Sequence, residues 1–558
     1  MPFTDDYQTT MLLASLVPVL FVFAFGACVG SLLNVVVYRL PLGLDIVSPP
    51  SRCPSCATRL TWRENIPIFG WLLLGGRCRF CRSRVSVEYP IVELVVALLF
   101  SAVFVVWYLL PGGATLLGLP IGQMKPDWAL GNGGWGGEWV YFNSADFGRT
   151  WPLLVAVLTM LSCLVAMTLI DARTCTIPLE LPWLTTIVAL AAHVGLAVYL
   201  QVWTLTGALP GMTGRVPGED WAIPSSGSWW WVGATLGAAI GLVISLVLVR
   251  VGLLKRSYAD FDDWVAQQER GEGSAAPVDD GAPSAMSEEA SAPPATTPAA
   301  PEARAATLVG ASLLGALAGA LVALVLAPRL GTSPALAALV GSLGGSLVGA
   351  LCLRLVEART TARTLVHGEP LAQPVLGESA AVDARDASAT SPAEAWLAYP
   401  HARRETVREL AFLGPCVALA YVGGTVATAL SASAGDPPAL WLRALIGVLM
   451  GYLIGAGVVW GVRILGSLLF GKEAMGLGDV HLMGGVGATI GWIDATLAFF
   501  LAAIVGTWWT ILGGVAGGGR GGRALPFGPH LAVASLLVLA LKPATSWFIR
   551  DVLNAPVP

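Results

Sequence analysis

Two aspartates and four cysteines are the residues of this sequence whose types and spacing could do chemistry. Asp171 follows an apolar run directly in Ile170-Asp171-Ala172-Arg173, with Ile177-Pro178 shortly after. Asp479 stands in Met475-Gly476-Leu477-Gly478-Asp479 and is followed at once by the apolar stretch from Val480 to Ile493. An acid at the end of an apolar run is ordinarily a solvated carboxylate, whereas one that enters such a run marks a functional site by default. Gly476 and Gly478 let a second backbone or a substrate approach the Asp479 carboxyl closely and permit non-helical geometry beside it. Two carboxyls brought together in a partly dry site do not both ionise readily; one holds a proton while the other activates water against a peptide carbonyl. Asp171 and Asp479 are therefore the expected catalytic pair, with Gly476 and Gly478 in the active-site loop. Spacing leaves open whether the two meet and which one carries the proton.

The cysteines form two C-x-x-C pairs in one loop, Cys53-Pro54-Ser55-Cys56 and Cys78-Arg79-Phe80-Cys81. Four thiolates at this spacing suit one tetrahedral Zn²⁺. All four sulfurs fill the coordination sphere and leave no position for a reacting water, so the expected site is structural, and the metal would supply much of the folding energy of a loop with little core. A pair of redox dithiols is the alternative, although nothing nearby reads as a thioredoxin βαβ unit. Cys28, Cys163, Cys175, Cys352 and Cys416 lie singly in or beside apolar runs, where cysteine behaves as a small core residue. The five histidines are scattered and suggest no metal cluster of their own.

These groups must be positioned by membrane helices. The chain has 558 residues, 55% of them hydrophobic and only 12% charged, more apolar surface than a soluble core needs. A net charge of -4 is small for this length and argues against nucleic acid as a partner. Runs long enough to cross a bilayer lie near 11–37, 91–110, 152–170, 182–202, 230–253, 306–327, 335–355, 410–432, 439–465, 495–515 and 529–548. The stretch 480–493 is shorter and is counted as a twelfth crossing. The expected fold is thus all-α and polytopic, with about 12 transmembrane segments and a small zinc-ribbon-like loop. Asp5 and Asp6 precede the first run without a basic residue, so it reads as an uncleaved helix and not as a signal peptide.

Arg39, Arg52, Arg59, Arg63, Arg77, Arg79, Arg82 and Arg84 against Asp45, Glu64 and Glu88 place the four-cysteine loop in the cytoplasm. Both termini then fall outside, and six spans between the aspartates put both carboxyls at the cytoplasmic face. The expected organisation is a first helix (11–38), the four-cysteine loop (39–90), helices carrying Asp171 (91–254), a disordered Ala/Pro/Glu-rich linker (255–305), a transmembrane hairpin (306–355), a polar linker (356–408) with a short helix near Trp396, and a C-terminal membrane part (409–548).

Several stretches taken together resemble the type IV prepilin leader peptidases, which are GxGD-type aspartyl proteases. They are Gly30-Ser31-Leu32-Leu33-Asn34-Val35-Val36-Val37-Tyr38-Arg39-Leu40-Pro41, the two C-x-x-C pairs, Asn65-Ile66-Pro67, Gly76-Arg77-Cys78, Tyr89-Pro90-Ile91-Val92-Glu93, Asp171 with Pro178, Gly476-Leu477-Gly478-Asp479 and Pro526-Phe527-Gly528-Pro529. The resemblance covers about half of the chain. It implies an enzyme of the bacterial inner membrane that removes a short basic leader, after a glycine, from type IV prepilins or type II secretion pseudopilins, with Asp171 and Asp479 catalytic. It also implies S-adenosylmethionine-dependent methylation of the new amine, associated with the N-terminal cytoplasmic region, for which the residues themselves indicate no cofactor pocket. The chain departs from the family in carrying His481 where a lysine is common, either a titratable group near the site or a polar residue at a helix entrance, and in carrying the extra hairpin with its linkers.

Three other readings compete. A proton-coupled transporter with a zinc module predicts inverted repeats and acids at the bilayer midplane, and neither is apparent. A non-catalytic scaffold of a pilus or secretion system would tolerate loss of either aspartate. A presenilin-like peptidase shares the G-x-G-D chemistry but gives no reason for the four cysteines.

Overall fold

The computed structural model describes residues 5–53, 55–110, 144–205, 228–261, 264, 401–431, 438–515, 527–541 and 545. Eleven helices are described: α1 (Asp5–Arg39), α2 (Phe69–Leu73), α3 (Glu88–Tyr108), α4 (Ser144–Thr174), α5 (Glu180–Leu205), α6 (Trp229–Arg250), α7 (Ala402–Ser431), α8 (Leu440–Phe470), α9 (Leu477–Ile490), α10 (Trp492–Val515) and α11 (Gly528–Ala540). Among the described residues there is no strand, only two isolated β-bridges in the cysteine loop. All eleven helices belong to one compact unit; of a second unit, 258–374 with 385–389, the structure describes only a turn in which the rings of Phe261 and Trp264 lie 6.1 Å apart.

Eight of these helices are long and apolar enough to cross a membrane, and they coincide with eight of the expected spans. The hairpin at 306–355 and most of both linkers lie outside the described residues. Helix structure is already present at Ala402, inside the linker expected to run to 408. The twelfth expected crossing is α9, whose 14 residues rise about 21 Å, short of about 30 Å of hydrocarbon. From Asp479 to Ile490 every residue of α9 except His481 is buried. Enclosed by other helices, α9 need not span lipid to satisfy its backbone.

Small residues set the helix spacing. Without a hydrophobic driving force between helices in lipid, close backbone contact must supply the packing. At the crossing of α8 and α9, a Cβ on Gly451 would lie 2.0 Å from the Gly487 carbonyl oxygen, and one on Gly487 2.1 Å from that of Gly451. Ala189 of α5, Val448 of α8 and Ala488 of α9 close the core beside it. A second seam joins α6 to α7, where Cβ atoms on Gly233, Gly237 and Gly241 would strike the carbonyls of Gly423, Leu419 and Pro415. Ser245 adds a hydrogen bond across it, donating to the Phe412 carbonyl at 2.5 Å.

Glycines also punctuate the chain where Asp479 enters. Gly471 ends α8 in the left-handed region at φ 68°, its N–H donating to the Ser467 carbonyl. Gly476 is extended ahead of α9, and Gly491 ends that helix at φ 91°.

Candidate active site

Asp171 lies in the last turn of α4 and Asp479 in the first turn of α9, 6% and 8% exposed. A third segment meets them. The Gly528 N–H at the start of α11 donates to Asp171 Oδ2 at 3.1 Å. A Cβ on Gly528 would lie 2.6 Å from that oxygen, so only glycine allows the contact. Gly478 packs on the segment that follows Asp171, with its Cβ position 2.8 Å from Cβ of Ile177. Asp479 Oδ2 lies 3.8 Å from where a Cβ on Gly476 would stand, and the charge of Asp171 reaches the Asp479 carboxyl. His530, in the first turn of α11, lies within electrostatic reach of Asp171. Asp171, Asp479, Gly476 and Gly478, expected from the sequence, thus gather in one place.

His481 is held beside this group and turned from it. Its Nδ1 lies 2.8 Å from the Tyr452 hydroxyl on α8, and the Tyr452 ring stacks on Trp183 of α5 with centroids 5.7 Å apart.

The four expected ligand sulfurs form a separate group. Cys53, Cys56, Cys78 and Cys81 place their Sγ atoms within 4.8 Å of one another, with 3.7 Å between Cys53 and Cys81 and 3.9 Å between Cys56 and Cys78. A tetrahedron with Zn–S bonds of about 2.3 Å has edges of about 3.8 Å, so the arrangement fits a metal. None of the four is in a disulfide.

The two halves of this loop repeat one backbone design. Cys53 N–H donates to the Thr58 carbonyl and Cys78 N–H to that of Ser83, while the residue after each second cysteine, Ala57 or Arg82, is left-handed at φ 55° or 60°. The bridges Arg52↔Arg59 and Arg77↔Arg84 close the two turns. Burial opposes charge on Cys53, but the N–H groups of Cys56 and Ser55, with Ser83, outweigh it and bring this thiol down to about 6. A thiolate is the form that ligates metal.

Residues of the sequence motifs anchor the loop to the membrane helices. Gly30 of α1 meets α3 where a Cβ would lie 2.6 Å from Cα of Glu93. Asn34 donates to the Tyr89 carbonyl at 3.1 Å, the Ile68 N–H donates to Glu93 at 2.6 Å, and the Arg39 guanidinium donates to the carbonyls of Asp45, Ile46 and Pro49. Arg173, two residues past Asp171, pairs with Glu88 at the foot of α3. That ion pair puts the end of α4 and the cysteine loop at one face of the bundle.

Two features of the site escaped sequence reasoning. Pro526-Phe527-Gly528-Pro529 had no role until the Gly528 N–H met Asp171. Arg463, inside the span expected over 439–465 and given no role there, is 1% exposed and faces Glu409. An arginine followed by apolar residues up to Phe470 was the available signal.

Residues 24–107 match the Bacterial Peptidase A24 N-terminal domain and residues 415–511 the Type IV leader peptidase family. Asp479 lies inside the second match, and Asp171 between the two. A prepilin leader peptidase/N-methyltransferase of Pectobacterium carotovorum is 31% identical over 286 residues, 43% of this chain and 87% of that protein. A protein of the same name from Myxococcus xanthus is 56% identical over 82 residues, 15% of this chain and 24% of the relative. For the one from Klebsiella pneumoniae the figures are 41% over 104 residues, 18% and 44%. The chain thus spans less than half the length of these last two relatives and most of the first. No solved structure matches it significantly. With the Pectobacterium protein, 31% identical, aligned over 87% of its length and the family models matching 24–107 and 415–511, this chain is a member of the type IV leader peptidase family.

Proposed function

We propose that the protein is a multi-pass enzyme of the bacterial cytoplasmic membrane that removes the short basic leader of type IV prepilins or type II secretion pseudopilins, with Asp171 and Asp479 as its catalytic dyad. The observation that carries the reading is the gathering of both carboxyls, the G-x-G-D glycines and the Gly528 N–H at one face of the bundle. One carboxylate takes a proton from water as its oxygen attacks the scissile carbonyl, and the other carboxylic acid protonates the carbonyl oxygen. A tetrahedral diol results. One carboxyl then gives a proton to the leaving nitrogen while the other takes one from a diol hydroxyl, so the C–N bond breaks, a carboxylic acid forms and the shared-proton state is regenerated. The Gly528 N–H fixes one Asp171 oxygen, so the other faces the reacting centre.

The face is cytoplasmic because the arginine-rich loop shares it, and with α9 counted as an inner crossing both termini lie outside. A basic leader stays in the cytoplasm while the apolar helix behind it remains in the bilayer. The loop 39–90 forms the metal and methylation region, and the helices of 91–254 and 409–548 form the peptidase part, with the segments between them as an addition. The test is co-expression of the full chain with a prepilin-like substrate. A leader-sized mobility shift, with the new N-terminus read by mass spectrometry, is the expected result; unprocessed substrates throughout would overturn the reading.

Cys53, Cys56, Cys78 and Cys81 would hold a structural Zn²⁺, which supplies folding energy to the loop. Cys78→Ser should reduce bound zinc from about one ion per chain to a small fraction, and limited trypsin digestion should then cut among Arg77, Arg79, Arg82 and Arg84. Retained stoichiometric zinc with an intact loop would refute the assignment. For methylation, an open cavity of ≈ 550 Å³ lies between α1 and the loop, lined in part by Arg59, Trp62 and Asn65. S-adenosylmethionine, which supplies the methyl group for the new amine, would be bound by this N-terminal region.

Gly528→Ala tests the third segment. Its methyl group must displace the Asp171 carboxyl, and such a misplacement costs kcat roughly 10- to 100-fold. Steady-state cleavage kinetics at equal folded abundance check this.

A further inference from the structure

Arg463 is the largest fully enclosed side chain among the described residues. It lies within the span Leu440–Phe470, where a guanidinium is tolerated only when its donors are met. Nε and Nη2 donate to the Glu409 carboxylate of α7 at 3.2 and 3.1 Å, and Trp460 Nε1 donates to the same carboxylate at 2.8 Å. Nη1 pairs with Glu473 and donates to the Met475 carbonyl, both in the short loop between Gly471 and Gly476. Two further contacts fold that loop back onto α8. The Ala474 N–H donates to Ser467 Oγ at 3.2 Å, and a Cβ on Gly466 would lie 2.6 Å from that of Ala474.

We propose that Arg463, braced by Glu409, is a positioning residue that clamps the loop 471–476 and so sets the Asp479 carboxyl against Asp171, an inference that rests on the dyad reading above. The loop has a glycine at each end, and without the clamp it would be free to swing. Met475 is four residues from Asp479, so the position of its carbonyl largely fixes where α9 begins. A planar guanidinium holds an acid on one helix, an acid on the loop and a loop carbonyl at fixed angles; an ammonium supplies charge without that fork.

The experiment uses the purified full-length protein. Wild type, Glu473→Ala, Arg463→Lys and Arg463→Met are compared by cleavage kinetics and by amide hydrogen exchange across 471–479. Glu473→Ala and Arg463→Lys should lower kcat roughly 10- to 100-fold with KM within about twofold. Their loop amides should exchange at least about tenfold faster while the rest of α8 and α9 is unchanged. Arg463→Met, which strands two acids, should lose more of both. Wild-type loop exchange in Glu473→Ala and Arg463→Lys, or wild-type kcat with a freed loop, would overturn the clamp. If wild type cuts no substrate, the dyad reading falls, and the exchange data alone decide the clamp.

Discussion

Asp171→Asn and Asp479→Asn should each reduce leader cleavage by about 10⁴-fold or more, with membrane abundance unchanged. In Asp171→Asn the new side-chain amide oxygen retains an acceptor for the Gly528 N–H, and an amide in place of Asp479 removes one of two acids that face each other, so neither change threatens folding. What is lost is the ability to exchange a proton. A single carboxyl can accept a proton from water or donate one to the carbonyl oxygen, but the attack needs both at once. Because the pair acts as a unit, the double variant should be scarcely slower than either single one. A mobility-shift assay of substrate in membranes reads all three. If either single variant cuts at the wild-type rate, the dyad is misassigned.

Gly487→Ala should be nearly as damaging, through a methyl group two turns away from the chemistry. That methyl would lie 2.1 Å from the Gly451 carbonyl oxygen, and the obstacle is backbone that no rotamer can relieve. The helices α8 and α9 must part by roughly 1 Å or more, which costs about 1–3 kcal/mol as overpacking and carries Asp479 away from Asp171. Activity should fall about 10²-fold or further, with a lower Tm. Gly451→Ala should behave alike. Gly457→Ala, on the same helix but with open space around it, is the control and should stay at wild-type activity and stability. Equal behaviour of Gly457→Ala and Gly487→Ala would remove the crossing as the cause.

How far the sequence could be read depended on the range of each interaction. Apolar runs announce spans because the lipid requirement is local to the run, and eight of them stand as helices within a few residues of their expected positions. The cysteine pairs were legible because each turn is built within six residues, from Cys53 to Thr58 and from Cys78 to Ser83. The contact of Gly528 with Asp171 spans 357 residues, and no periodicity encodes it. The same holds for Arg463 with Glu409, 54 residues apart on different helices. The stretch 480–493 reads as a crossing from composition alone; its burial on all sides is a property of α5, α8 and α10, and only the assembled bundle shows that it is an inner helix.

The glycine seam between α6 and α7 bears on how this chain carries the long segment between those two helices. The two helices run side by side from Gly233 and Gly423 to Ser245 and Phe412, so the chain departs after Arg250 and returns at Ala402 on the same edge of the bundle. Closing a detour of roughly 150 residues instead of roughly ten costs only about 2 kcal/mol more in chain entropy, since the penalty grows with the logarithm of length. The seam therefore acts as a port. A detour of this length leaves the helices that bear the two aspartates in place at small cost in chain entropy.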